Sequence, residues 1–308
     1  MTDKISERIL ENDVLRVTIL PEKGGKLSSI LYKPTQSELL FQNPKNRFEA
    51  AEWGSDFSKF EACGFDDAFP NVDKEIFVYR GIEYNYPDHG EIWTAQFESW
   101  MEEDACALSW ESRRYRYRYC KKVRIENHTV KIDYRIDNQT DQPLPCIWTM
   151  HCLMKMTPEM RFYFPEGTSR VENVFDNPYL GSEGRTLDYP EDRTAGRVLC
   201  LDRPPKEGAV KYYAAGRVSE GNCGMYYPEW GLRVRISFPA DILPYLGLWI
   251  TAGGYRGDYN CAMEPCSAYY DSVRKAKSKM GEVPSIAAGG SMQFEIGITV
   301  EEDCHGRG

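Results

Sequence analysis

The sequence is poor in the groups that most protein chemistry draws on. Histidine occurs only four times in 308 residues, as His89, His128, His151 and His305. No apolar run approaches the ~20 residues that a membrane-spanning helix needs. The opening Met1-Thr2-Asp3-Lys4-Ile5-Ser6-Glu7 has no apolar signal-peptide core, so the cytoplasm is the expected compartment. Basic excess is missing as well. With 38 Lys and Arg against 47 Asp and Glu, the net charge is −9, which argues against nucleic acid or an anionic membrane as partner.

Cysteine is present, ten times, but never as Cys-x-x-Cys. A reducing compartment leaves such scattered residues as thiols. Cys152 follows His151, and Cys261 and Cys266 flank Glu264. No His/Cys cluster has a familiar ligand spacing, so no metal is expected, and each of these cysteines reads as a small buried hydrophobe.

Helical periodicity is scarce, and the prevailing period is two. Val14–Leu20 reads as a strand stopped by Pro21 and Gly24-Gly25. Arg114 to Tyr119 alternates Arg and Tyr, which places the rings on one sheet face and the cations on the other. Lys122–Ile125 and Val130–Ile136 pair across a turn that has His128 at its tip. Further strands are expected at Ala209–Ala214, Gly231–Phe238, Leu246–Thr251 and Gln293–Val300, with one short helix over Tyr269–Met280 and long loops over Pro165–Arg197. Short strands without βαβ alternation, and without a linker or repeat, predict a single all-β domain over residues 1–308, an antiparallel sandwich.

Three proton-transfer groups have patterned surroundings. His89 sits in Tyr86-Pro87-Asp88-His89-Gly90-Glu91-Ile92-Trp93, His151 ends Cys146-Ile147-Trp148-Thr149-Met150-His151, and Glu264 lies in Cys261-Ala262-Met263-Glu264-Pro265. Two imidazoles and a carboxylate can supply the acid, the base and the orienting group of a sugar ring-opening reaction. Carbohydrate is held by aromatic faces and by carboxylates that accept from hydroxyls. On those grounds the candidate substrate contacts are Asp67 and Phe69 of the Gly64–Asn71 stretch, Glu91, Trp93, Trp148 and Trp249. Asp66 reads equally as a turn cap.

These stretches, taken in order, resemble the aldose 1-epimerase (galactose mutarotase-like) superfamily over nearly the whole chain. Leu10–Ile30 resembles the family's first hairpin, Gly64–Asn71 the loop before its first histidine, and His89-Gly90 its His-Gly motif. Tyr134–Pro145 leading to His151 is similar to the stretch that delivers the second histidine. Ala262-Met263-Glu264-Pro265, followed by Asp271-Ser272 and Gly289-Gly290, resembles the segment of the catalytic glutamate. The resemblance implies a twisted antiparallel β-supersandwich and cofactor-free interconversion of α and β anomers. It implies Glu264 as the base at the anomeric hydroxyl, His151 as the acid at the ring oxygen, and His89 as a partner that binds the ring. The chain departs from the best-known members where Cys152-Leu153-Met154 follows His151 and Glu91-Ile92-Trp93 follows His-Gly, which bears on the sugar more than on the reaction.

Three readings stay open at this point. One is a mutarotase. Another is an epimerase of an anionic hexose, which needs arginines such as Arg113, Arg114, Arg161 or Arg256 to converge. The last is a sugar-binding protein without activity. Sequence leaves the oligomeric state open.

Overall fold

A computed structural model describes residues 5–44, 48–194 and 196–303; His305 and Cys304 lie outside the described residues, as do Met1 to Lys4. Two large antiparallel sheets dominate. One has twelve strands among the described residues and the other eight. The larger runs through Leu15–Leu20, Lys26–Tyr32, Phe65–Ala68, Thr149–Cys152, Tyr259–Cys266, Tyr245–Ala252 and Gly208–Ala214 in that spatial order. The smaller is built around the hairpin Tyr117–Glu126/Thr129–Asn138 and the long strand Ser291–Glu302. This is the twisted antiparallel β-supersandwich that the sequence resemblance implies.

The core between the sheets follows directly from period-two patterning. Leu15, Val17 and Ile19 are buried while Arg16 between them is exposed. Tyr115, Tyr117 and Tyr119 turn inward and Arg114, Arg116 and Arg118 outward, though the strand itself begins only at Tyr117. Lys121, on the inward face of that strand, meets Asp67 at 2.9 Å, with Tyr134 donating to the other carboxylate oxygen at 2.8 Å. A buried pair of this kind breaks even only when fully hydrogen-bonded, and losing one partner leaves a stranded charge.

Differences from the expected elements have local causes. The helix is Val273–Met280, four residues shorter at its start than Tyr269–Met280. Ser272 caps it by accepting from Lys275 N, and Gly281 closes it in a left-handed conformation. The Pro165–Arg197 stretch, expected as loops, contains short strands at Arg170–Asn173, Thr186–Asp188 and Glu191–Thr194. The strands Asn222–Tyr227 and Tyr259–Cys266 were not expected. The second is central to the larger sheet and buried on both faces, so its sequence shows little alternation.

Candidate functional site

Strand pairing puts the proton-transfer residues on one face of the larger sheet. Thr149 pairs with Cys266 and His151 with Asp66, so His151 and Glu264 share a side, and Met150, Cys152 and Met263 turn to the inter-sheet core. On the neighbouring strands two rows lie on the same side: Tyr213–Gly247–Glu264 and Lys211–Trp249–Ala262. A second apolar cluster covers this face, built from Phe57, Ala62, Trp93, Leu153 and Ala262 with Trp249 packed against it.

A cavity of about 230 Å³ opens there. His89, His151, Glu264, Trp249, Lys211, Asp271, Asn260 and Asp73 border it, with Phe57, Tyr255 and Phe175 among its aromatic walls.

His89 reaches the cavity from a loop whose backbone is unusual. Its φ is +57°, and Gly90 follows at +71°. A Cβ on Gly90 would stand 2.1 Å from Phe69 O, so only glycine lets the loop lie against the 65–68 strand's end. His89 N donates to Val72 O at 2.7 Å, its ring stacks on Phe57, and Nδ1 faces Asp88 Oδ1 at 2.8 Å. Burial works to raise the Asp88 carboxyl, but the bond to His89, that ring's charge and the Phe57 N–H outweigh it, and the net direction is down.

The two histidine rings meet edge to face, centroids 4.9 Å apart. Burial, then the nearby charges of His89, Lys211 and Lys26, hold His151 well below the ordinary imidazole value, so it is neutral. Its Nδ1 is enclosed without a partner. Buried unmet N–H groups are rarer than unmet acceptors, which favours the tautomer with hydrogen on Nε2.

Glu264 is 1 % exposed. Burial and the Asp271 charge raise its pKa, while Lys211 and His89 pull it down; the net direction is up. Lys211 Nζ lies 2.7 Å from Glu264 Oε2 and 2.8 Å from Asp271 Oδ2, an ion pair with each. Tyr213 also donates to Asp271 Oδ1 at 2.8 Å. Asp73 stands at the mouth, and its carboxylate has no hydrogen bond or ion pair among the described residues.

The structure therefore brings together His89, His151, Glu264 and Trp249, and places the other sequence candidates elsewhere. Asp67 faces the core with Lys121 and Tyr134. Phe69 is buried against Tyr117 and Tyr119, and Trp148 donates from Nε1 to Tyr119 OH deep between the sheets. Glu91, one residue past the glycine, turns inward and accepts from Tyr117 OH at 2.9 Å. Trp93 backs Phe57 at 5.1 Å and donates to Asp88 O, behind the cavity wall rather than on it. These side chains have apolar or paired surroundings, and none of them lines the cavity. Lys211, Asp73, Phe57 and Asn260 were not singled out from sequence, and Asp271 was noted only as part of the glutamate segment, without a role. For Lys211 a signal was present, since a lysine between Val210 and Tyr212 in a central strand has to find a counter-charge.

The arginines do not converge on the cavity. Arg114 lies over the Trp53 ring, Arg161 pairs with Asp202, and Arg256 donates to Phe60 O and lies 3.7 Å from Asp258. Arg113 is exposed on a turn. Seven of the nine described cysteines are buried, and all nine are free thiols.

No protein-family model matches the chain, and no curated protein matches it in sequence. Solved structures do match. The Slr1438 protein from Synechocystis sp. PCC 6803 superposes with a TM-score of 0.73 at 19% identity, covering 98% of each chain. A galactose mutarotase related enzyme from Lactobacillus acidophilus gives 0.70 at 13% identity over 97% of this chain and 99% of its own. A galactose mutarotase-like protein from Lactobacillus casei gives 0.70 at 14% identity over 96% and 100%. At such identities the likeness speaks for architecture, and over nearly its whole length the chain has the galactose mutarotase-like fold.

Proposed function

We propose that the protein interconverts the α and β anomers of an aldose by opening and reclosing its ring. The observation that carries this reading is the convergence of Glu264, His151 and His89 on one cavity beside the Trp249 and Phe57 rings. Glu264 takes the proton of the anomeric hydroxyl, the C1–O5 bond breaks as C1 becomes an aldehyde, and the ring oxygen receives a proton from the imidazole pair. Rotation about C1–C2 and the reverse steps deliver the other anomer. The neutral His151 donates a hydrogen bond from Nε2–H to the ring oxygen, and the proton itself is supplied by His89 as imidazolium and regained when the ring recloses. His89 has in Asp88 the counter-charge that an imidazolium needs. No residue outside the chain is required to balance these protons.

At about 230 Å³ the cavity is smaller than the usual pocket for a drug-sized ligand, which limits the substrate to something of the order of one sugar ring. Saturation-transfer proton NMR across neutral aldoses and sugar phosphates tests the proposal. Accelerated exchange of a neutral sugar is expected, with Glu264→Gln and His151→Asn each losing about 10²–10⁴ in rate while keeping their fold. Wild-type rates in both variants would sink the assignment of roles. Exchange restricted to anionic sugars would favour the second reading, and binding without exchange the third.

A further inference from the structure

Lys211 is a buried charge that the proposed reaction does not use. It belongs to Gly208–Ala214, and Glu264 to Tyr259–Cys266, with Tyr245–Ala252 between them. Strands lie about 4.8 Å apart, so Lys211 must reach across the middle strand and one row along to meet Glu264. It can do so because the row it crosses has glycine at its centre. A Cβ on Gly247 would come 3.2 Å from Glu264 Oε2 and 3.1 Å from the Tyr213 ring. At the far end Asp271, in the segment before the helix, holds the ammonium with both oxygens, at 2.9 and 2.8 Å, and Tyr213 fixes Asp271 in turn.

We infer that Lys211 is the positioning residue for Glu264: it holds Oε2, supplies the carboxylate's counter-charge, and leaves Oε1 for the substrate. A lysine anchored only for stability would need no second carboxylate in the cavity. Here the ammonium sits between one carboxylate that is tied by a tyrosine and one with no other partner. The charged and titratable groups around Glu264 are Cys266 two residues along its own strand, Lys211 and Tyr213 from another, His151 from a third, His89 from its loop, and Asp271 and Asp73 from the cavity edge. Lys211 is the only permanent cation among them. Its kinetic consequence rests on the anomer-exchange reading; its effect on the carboxylate does not.

The test follows the Glu264 carboxyl by ¹³C NMR of glutamate-labelled protein through a pH titration, using Glu264→Gln to assign the signal. Anomer exchange is measured in parallel against pH. Removing an opposite charge at this distance moves a carboxyl by about 1–3 pH units. Lys211→Met should therefore raise both the carboxyl titration and the acid limb of kcat by that amount, with exchange recovering at higher pH and KM little changed. Lys211→Arg should keep the limb near wild type. Asp271→Asn removes a repelling charge and gives the ammonium wholly to Glu264, so both curves should move down. It also decides the matter if Lys211→Met does not fold.

Unmoved carboxyl titrations in Lys211→Met, or in Asp271→Asn where the first variant fails to fold, would overturn the inference. A wild type that exchanges no sugar would instead remove the proposed reaction and leave the carboxyl titration to judge the lysine.

Discussion

His89 lies face to face with Phe57, ring centroids 4.1 Å apart and planes 16° from parallel. Phe57 in turn meets the edges of Trp93 at 5.1 Å and His151 at 5.3 Å, so one ring of a short 3₁₀ turn sets the orientation of both imidazoles. Asp88 ties that turn to the histidine loop by accepting from Phe57 N at 3.0 Å while its other oxygen faces His89. Phe57→Leu keeps an apolar filler and should cost less than about 1.5 kcal/mol in stability. It removes the flat face under His89, and anomer exchange should fall roughly tenfold or more through kcat, as misplacement of a catalytic group does. Thermal unfolding and exchange rates on one preparation check both halves; an unchanged kcat would show that His89 is held by Asp88 alone.

The His-Gly pair makes a sharper prediction. Gly90→Ala places a methyl 2.1 Å from Phe69 O in a backbone at φ +71°. The strain of a left-handed non-glycine residue is about 1–2 kcal/mol, and the overlap adds to it, so a loss of about 3 kcal/mol or more is expected. Gly81→Ala has a similar φ of +79° with nothing within 4 Å, and should lose only the conformational part, about 1–2 kcal/mol. Equal losses in urea unfolding of the two variants would mean that the contact with Phe69 relaxes.

Neighbouring aspartates should separate structure from function. Asp67→Asn strands the Lys121 ammonium in the core and should destabilise the protein by about 3–5 kcal/mol, with sugar affinity at the cavity unchanged in the folded fraction. Asp73→Asn, at the cavity mouth with no side-chain partner among the described residues, should leave stability within about 0.5 kcal/mol and weaken sugar binding. Unfolding curves and ligand titration of the pair distinguish the cases, and the reverse pattern would misplace the cavity.

That pair also shows how far the sequence could be read. The alternation around Val14–Leu20 and Tyr117–Tyr119 made the sheets legible, because one face is buried and the other wet. Nearness in sequence misled at the site. Successive residues of an extended chain face opposite ways, so Trp148, three residues before His151, buries itself between the sheets, whereas Glu91 turns inward because the left-handed backbone of His89 and Gly90 redirects the loop after His89. The same parity would have picked Asp66, paired across from His151 and 2.5 Å from Lys26, as the residue sharing the histidine's face, rather than Asp67. That Lys211 needs a counter-charge could be read, but not that Glu264 and Asp271 supply it, because their meeting depends on the pairing of distant strands and on the turn before the helix.

The neutral His151 gives a pH dependence with a definite direction. Its folded-state pKa is pushed below the ordinary 6.5, by burial first and then by neighbouring positive charge. Above that value the ring is neutral in both folded and unfolded chains, and it contributes no slope. As pH falls through 6.5 the unfolded chain takes up a proton that the native protein refuses, and stability drops by up to about 1.4 kcal/mol per pH unit. Glu264 and Asp66, raised chiefly by burial, act the other way, since a raised folded-state pKa favours the native protein as pH falls toward it. Their contribution is common to wild type and to a His151→Asn variant, so the difference between the two isolates the imidazole. Urea unfolding from pH 7.5 to 5.5 should show wild type losing ground to the variant below about pH 6.5. Parallel curves would mean that the ring charges freely in the folded protein and can itself deliver the proton to the ring oxygen.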